Sequence, residues 1–441
     1  MIFELMGPLM FAGLVVFLLL GYPIAFSLAA VGLLFAAIGI KLDLFQVSLL
    51  QALPDRIFGI MSNQTLLAIP FFTFMGVLLE RSGLAEDLLD TMGQLFGRLP
   101  GGLAYSVIFV GALLGGPAGV VAAVVIAMGL ISLPIMLRYG YDVRLATGTI
   151  AASGTLAQII PPSIVLVVLA DQMAVSVGDL YAGALVPSLV LSGLYFGYVF
   201  LVTLINPKAA PPLPAEARVL RGSALARRVV STMLPPLALI FLVLITIFLG
   251  LATPTEGAAM GAAATLAMAL ARRKLNWKLL REAMDQTARL TSFVIFVLIG
   301  STIFTLVFRG VDGDLWIESL MTALPGGALG FLIFANVVVF LLAFFLEFFE
   351  IAFILVPLFA PIAQKLGIDL VWFGVLLGIN MQTSFLHPPF GFALFYLRSV
   401  APASIKTSDI YWGAVPFVII QIIMVALVIA FPAMVTSFVS R

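Results

Sequence analysis

Two double prolines sit beside the chain's most suggestive polar residues. Ser153, Gly154, Thr155 and Gln158 precede Pro161-Pro162, and Ser163 follows it; Asn380, Gln382, Thr383, Ser384 and His387 precede Pro388-Pro389. Each group lies in an apolar stretch long enough to cross a bilayer. A proline inside a helix removes a backbone donor, clashes with the preceding turn and pushes the residue before it out of the helical region, so both stretches are expected to break. Irregular backbone at that depth survives only when it is buried in protein or lines a wet cavity. Unwound carbonyls, hydroxyls and amides together form an oxygen-rich set without a stranded charge, which is the chemistry of holding an alkali cation such as sodium. His387, the only histidine, could donate to a substrate carboxylate, carry a coupling proton or satisfy a freed carbonyl. Ser163 and Asn380 are further candidates for touching a substrate.

Carboxylates in apolar surroundings are the second kind of candidate. "FFLEFFEIAFILVP" places Glu347 and Glu350 three apart, on one helical face if the segment is helical. Intramembrane carboxylates are expensive and default to a functional reading, with Glu347 the expected cation ligand and Glu350 an interface residue. In "GALLGGPAG", Gly115-Gly116-Pro117 is expected to turn a hairpin whose arms are too short to span. Plainer roles compete with these. Membrane serines and threonines often bond only to their own backbone or join neighbouring helices, and Glu256, just after Pro254, reads as a helix N-terminal residue.

The elements that must position these residues follow from composition. Of 441 residues, 63% are hydrophobic and 10% charged, against roughly 25% charged in a soluble domain. The fold class expected is an all-α polytopic membrane protein. A net charge of +1 gives no footprint for nucleic acid. With no cysteine, disulfides and thiolate sites are excluded; with one histidine as well, no zinc or haem centre is expected, and no cofactor beyond sodium as a coupling ion. The N-terminus lacks the basic region and cleavage site of a signal peptide, so its first apolar stretch reads as retained. From Phe11 to Ile40, Gly21 and Pro23 leave open one hinged helix or two short spans, two being favoured.

Half of the 22 Lys and Arg lie in two segments, Pro207 to Arg228 and Arg272 to Arg289. The apolar stretches Thr232–Leu251 and Thr253–Leu270 between them supply two crossings. Both basic segments therefore lie on one side, the cytoplasm by the positive-inside rule. Around this pair the chain repeats. "LPGG" at Leu99 recurs at Leu324, the Arg138–Asp142 motif at Lys365–Asp369, "IIPPSI" at Ile159 as "LHPPFG" at Leu386, and "YAGALVP" at Tyr181 as "YWGAVP" at Tyr411. Four matches in one order at nearly constant spacing indicate an internal repeat. Counting crossings puts the loops at Arg81–Arg98, Arg138 and Arg144 inside, and Asp171, Asp179, Arg309 and Glu318 outside. The two copies then enter from opposite faces. An inverted repeat with a discontinuous helix in each half is the sequence pointer to a secondary transporter with its site near the midplane. One loop runs against the charge rule: Glu80, Glu86, Asp87 and Asp90 outnumber Arg81 and Arg98. The expected division is 1–80 N-terminal scaffold helices, 81–206 first repeat, 207–289 basic segments with a scaffold helix pair, and 290–441 second repeat.

"LAIPFFTFMGVLLERSGLAEDLLD", "IIPPSIVLVVLA", "FLE…VPLFAPIAQKLGID…FG" and "HPPFGFALF" resemble, over nearly the whole chain, the large membrane subunit of tripartite ATP-independent periplasmic (TRAP) transporters. The resemblance implies an inverted-repeat, elevator-type carrier of the ion transporter superfamily in the bacterial inner membrane. It implies sodium coupling, a small four-helix membrane subunit, and a soluble periplasmic binding protein that delivers an organic acid. By motif, Ser153–Gln158 and Gln382–Ser384 match the family's sodium-binding loops, while Gly115-Gly116 and Glu347 match its two re-entrant hairpin tips. The family often has serines where this chain has Gly115-Gly116-Pro117, a threonine where it has His387 and an aspartate where it has Glu347. These departures point to a substrate other than the usual C4-dicarboxylate.

A membrane enzyme using Glu347 and His387 as acid and base is the contrasting reading. No Ser-His-Asp set, metal-ligand pair or nucleotide loop accompanies them. A single-component sodium-coupled carboxylate transporter of the same superfamily is the nearer alternative, separable by co-purification with a four-helix partner.

Overall fold

A computed structural model of the chain describes residues 2–118 and 121–439, and every regular element in them is helical. The chain opens with α1 (Ile2–Leu19) and α2 (Ile24–Lys41), separate helices on either side of Gly21 and Pro23. The short α3 (Leu53–Met61) and α4 (Ala68–Leu79) follow. A π turn at Glu80–Leu84, kinked where Gly83 takes φ 76°, leads into α5 (Ala85–Phe96). Next come the hairpin arms α6 (Gly102–Ala118) and α7 (Val121–Arg138), then α8 (Val143–Thr155), α9 (Ile164–Met173) and the long α10 (Val177–Ile205). The middle of the chain forms α11 (Gly222–Phe248), α12 (Pro254–Ala271) and α13 (Trp277–Gly310). The last stretch forms α14 (Gly313–Thr322), α15 (Gly327–Leu342), α16 (Phe348–Lys365), α17 (Leu370–Met381), α18 (Phe392–Val400) and α19 (Thr407–Ala430).

The run α5 to α10 is matched element for element by α14 to α19. Val121 and Phe348 open equivalent helices 227 positions apart, and so do Val143 and Leu370. The halves also exchange partners reciprocally: α7 packs on α18 while α16 packs on α9, and α8 packs on α19 while α17 packs on α10. At the centre α8 is buried along its length from Leu145 onward. Small residues permit this, as in most membrane helix contacts. A Cβ on Gly148 would stand 2.0 Å from the Gly413 carbonyl oxygen, so α8 and α19 touch through bare backbone.

Contacts between loops sort into two sets at opposite ends of the long helices. At one end Asp90 pairs with Arg228 at 3.2 Å, Asp87 with Arg272 at 3.4 Å, Arg81 with Glu282, and Arg144 with Asp409 at 3.2 Å. There the Pro207 loop also clasps both ends of the first hairpin, through Gly101 N–H to the Ala210 carbonyl and Asp142 N–H to the Ala209 carbonyl. At the other end Asn63 meets Asp171, Thr255 donates to the Gln64 carbonyl, and Lys365 pairs with Glu318.

Several expectations are corrected by these elements. The Arg81–Arg98 segment is mostly helix α5 rather than loop, and two of its acids, Asp87 and Asp90, pair with Arg272 and Arg228 of the basic segments. Residues 277–289 belong to α13, whose 34 residues span about 51 Å, so part of the second basic segment is a helical extension of the following span. The helix α6 runs through Gly115-Gly116, so these two glycines are helical and do not themselves form the expected turn. The arms α6 and α7 have 17 and 18 residues, about 26 and 27 Å, close to the roughly 30 Å of hydrocarbon instead of well short of it. Glu347 is the N-cap residue of α16 with extended backbone, not a neighbour of Glu350 on one helical face; Glu350 accepts from the Glu347 N–H at 2.9 Å. Glu256 stands as expected, the third residue of a capping box with Thr253.

A candidate cation and substrate site at two helix breaks

Both expected breaks are present. After α8 the chain tightens into a 3-10 turn at Leu156–Gln158, leaves helical geometry through Pro161-Pro162 and re-enters helix at Ile164. After α17 it does the same through Gln382–Phe385 and Pro388-Pro389 before α18. Each double proline carries one cis bond. The first break is held shut by Ser163, whose Oγ donates to the Gln158 carbonyl at 2.5 Å and accepts the Val165 N–H at 3.2 Å, capping α9. The Tyr181 hydroxyl donates to the Ser163 carbonyl at 3.2 Å. Ser163 is thereby committed to the shape of the break.

The hydroxyls in these stretches bond backward. Ser153 donates to the Thr149 carbonyl, Thr155 to Ala152, Thr383 to Asn380 and Ser384 to Met381, at 2.5 to 2.8 Å. A hydroxyl that has given away its proton still has oxygen lone pairs for a cation. The amides differ. Both amide atoms of Gln382, Oε1 of Gln158 and Oε1 of Gln421 are buried without a partner, as are Thr149 Oγ1 and both ring nitrogens of His387. Seven of the ten such atoms in the described residues therefore lie at the breaks or on the helix packed against them. Each unsatisfied buried group costs on the order of 1–3 kcal/mol, so a polar ligand bound there would recover part of that cost.

Packing brings the breaks into one neighbourhood. Gly115 and Gly116 lie against the first: a Cβ on Gly115 would be 2.7 Å from Ala157 Cα, and one on Gly116 would be 2.8 Å from the Ile160 carbonyl oxygen. Their role is close approach rather than turning. Gly378 of α17 lies over Ile159 of the first break, where a Cβ would come within 3.3 Å. Asn380 donates to both the Asn336 carbonyl at 2.7 Å and its Oδ1 at 2.9 Å, tying α17 to the hairpin arm α15. His387 lies between Phe344, stacked at 4.1 Å, and Phe340, edge-on at 4.4 Å, with the Ala343 backbone beside it but no completed hydrogen bond. Glu347 stands at the end of the same hairpin turn, half-buried.

Two residues at this centre carried no motif. Gln421, fully buried in α19, donates to Thr155 Oγ1 at 3.2 Å and to the Tyr195 hydroxyl at 3.0 Å, so the second half reaches the first break through Gln421. Asn336 anchors Asn380. The only sequence signal for Gln421 and Asn336 is a lone amide in an otherwise apolar span.

A family model described as tripartite ATP-independent periplasmic transporter, DctM component, matches residues 11–434. The chain belongs to this family. It is a TRAP large membrane subunit, a multi-pass protein of the bacterial inner membrane, with eight described helical segments long and apolar enough to cross, the kinked α4–α5 run counted as one. It is 31% identical over 391 residues, 88% of this chain and 90% of the other, to the C4-dicarboxylate TRAP transporter large permease of Pseudomonas aeruginosa. It is 24% identical to the sialic acid TRAP transporter permease of Haemophilus influenzae, over 96% of this chain and 66% of that one. In fold it is similar to the YdaH transporter of Alcanivorax borkumensis, with TM-score 0.60, 17% identity and coverage of 88% and 90%. The curated relatives are transporter permeases, and this chain is a TRAP permease subunit.

Proposed function

We propose that this TRAP large subunit is the moving part of a sodium-coupled importer of an organic acid delivered by a periplasmic binding protein. The observation that carries the reading is the pair of breaks: equivalent positions in two halves unwind, and buried amide oxygens around them lack partners. Sodium would be held by exposed carbonyls with Gln158, Gln382 and the hydroxyls of Ser153, Thr155, Thr383 and Ser384. Glu347 at the second hairpin is placed to contribute charge. Two helix N-termini, at Ile164 and Phe392, offer partial positive charge to a carboxylate. Bringing an anion inward against a negative-inside potential costs about 2.3 kcal/mol per charge per 100 mV, so a monoanion needs at least two sodium ions for a net inward pull.

Opposed insertion of the two halves is supported by the sorting of loop contacts. The first hairpin starts and ends among the basic loops, whereas the second ends at Lys365, which pairs with Glu318 at the opposite face. With the basic face cytoplasmic, α6–α7 enters from inside and α15–α16 from outside, as re-entrant hairpins would. An elevator in which α6–α10 and α15–α19 slide against α1–α4 and α11–α13 fits this division. The small membrane subunit is supported by one comparison: this chain covers only 61% of the isethionate TRAP permease protein DctMQ of Oleidesulfovibrio alaskensis, leaving room there for a fused partner. Reconstitution with a small subunit and a binding protein tests the coupling: uptake is expected to follow an inward sodium gradient, and uptake unchanged without one overturns it. Because the chain has no cysteine, Ser153→Cys and Ser384→Cys can be labelled individually. Sodium is expected to slow labelling at both.

A further inference from the structure

A cavity of about 300 Å³ opens at the end opposite the basic loops, between the α3–α4 turn and α13 on one side and the end of α9 and Pro357 in the middle of α16 on the other. Asp171 lies in its wall with both oxygens occupied, Oδ1 by Asn63 Nδ2 at 2.6 Å and Oδ2 by Gln172 Nε2 at 3.0 Å. Three other groups in the wall are uncommitted. Arg56 makes no ion pair or hydrogen bond with any described residue, nor do the hydroxyls of Thr302 and Thr305. This sets the two threonines apart from Thr73, Thr147, Thr265 and Thr287, whose hydroxyls each donate to a carbonyl four residues back. The cavity's one carboxylate is thus covered, while its free charged group is a donor, the exposed Arg56 guanidinium, whose planar fork matches a carboxylate.

We propose that this cavity binds the carboxylate of a small organic acid, with Arg56 as charged anchor and Thr302 and Thr305 as neutral donors, before the acid reaches the helix breaks. Its volume suits a small molecule, at the lower end of the roughly 300–1,000 Å³ of ligand sites. Its walls come from both bodies that the elevator would move past each other, so the site is complete in this arrangement and would come apart as they slide. The proposal rests on the organic-acid reading, but its test needs no transport.

The test places a single cysteine at Ile60, a wall residue that the proposal does not use, in the full chain and compares three methanethiosulfonate reagents: anionic, neutral and cationic. Arg56 is expected to favour the anionic reagent, and Arg56→Gln to lower the anionic-to-cationic rate ratio by about threefold or more. The neutral reagent should react equally with both proteins, which shows that the fold is intact. Succinate, gluconate or benzoate should slow labelling in the Arg56 protein and not in Arg56→Gln. An unchanged ratio, or no protection by any of the three acids, overturns the proposal. Sodium-driven uptake that persists in that event would leave the transport reading standing, because the two readouts are independent.

Discussion

Gln382 shows the compromise at the scale of a residue. Its amide is fully buried and neither end finds a partner, which costs on the order of 1–3 kcal/mol per group unless something binds there. If that something is sodium, Gln382→Leu should raise the melting temperature in sodium-free buffer, because it removes the unpaired polar atoms. It should also abolish the further stabilisation that sodium gives the native protein. A melting curve with and without sodium checks both effects. Destabilisation in sodium-free buffer combined with an unchanged response to sodium would show that Gln382 is a packing residue. Ser153, Thr383 and Ser384 were legible as candidates because hydroxyls beside a proline pair stand out in an apolar sequence. Which atoms remain free was not legible, since that depends on partners from other helices.

At the scale of elements, double prolines do not all act alike. Those at Pro161 and Pro388 interrupt helices, yet α11 runs unbroken through Pro235-Pro236. One freed carbonyl there meets a tertiary contact. Pro235 has no N–H for the Ser231 carbonyl, and Arg272 Nη2 approaches that oxygen at 3.5 Å, so the freed group is answered from α12's end. The α8–α19 crossing gives a second prediction. Gly148→Ala would drive a methyl group into the Gly413 backbone, and neither backbone can yield as a side chain would. The variant is expected to lose most of its folded yield by size-exclusion chromatography. Gly197→Ala, where a Cβ meets nothing within 4 Å, should fold normally. Normal behaviour of Gly148→Ala would show that the two helices do not touch.

Across the whole molecule, the proposed motion has a direct test at the seam between the two bodies. Asn63 and Asp171 meet at 2.6 Å across it. Asn63→Cys with Asp171→Cys should form a disulfide on oxidation, arrest uptake and regain uptake on reduction. Full transport by the cross-linked protein would rule out sliding at this seam. What the amino-acid sequence determined by itself was the membrane class, the repeat, the positions of the two breaks and the gathering of the basic segments at one end. These follow from hydropathy, proline stereochemistry and charge counted along the chain, all of which are local. The tertiary structure alone decided that the acids of α5 meet the basic loops, that the glycines at 115 and 116 pack instead of turn, and that Gln421 reaches Thr155. That last pair is 266 positions apart, and no local property of either residue specifies the other; packing of the two halves brings them together.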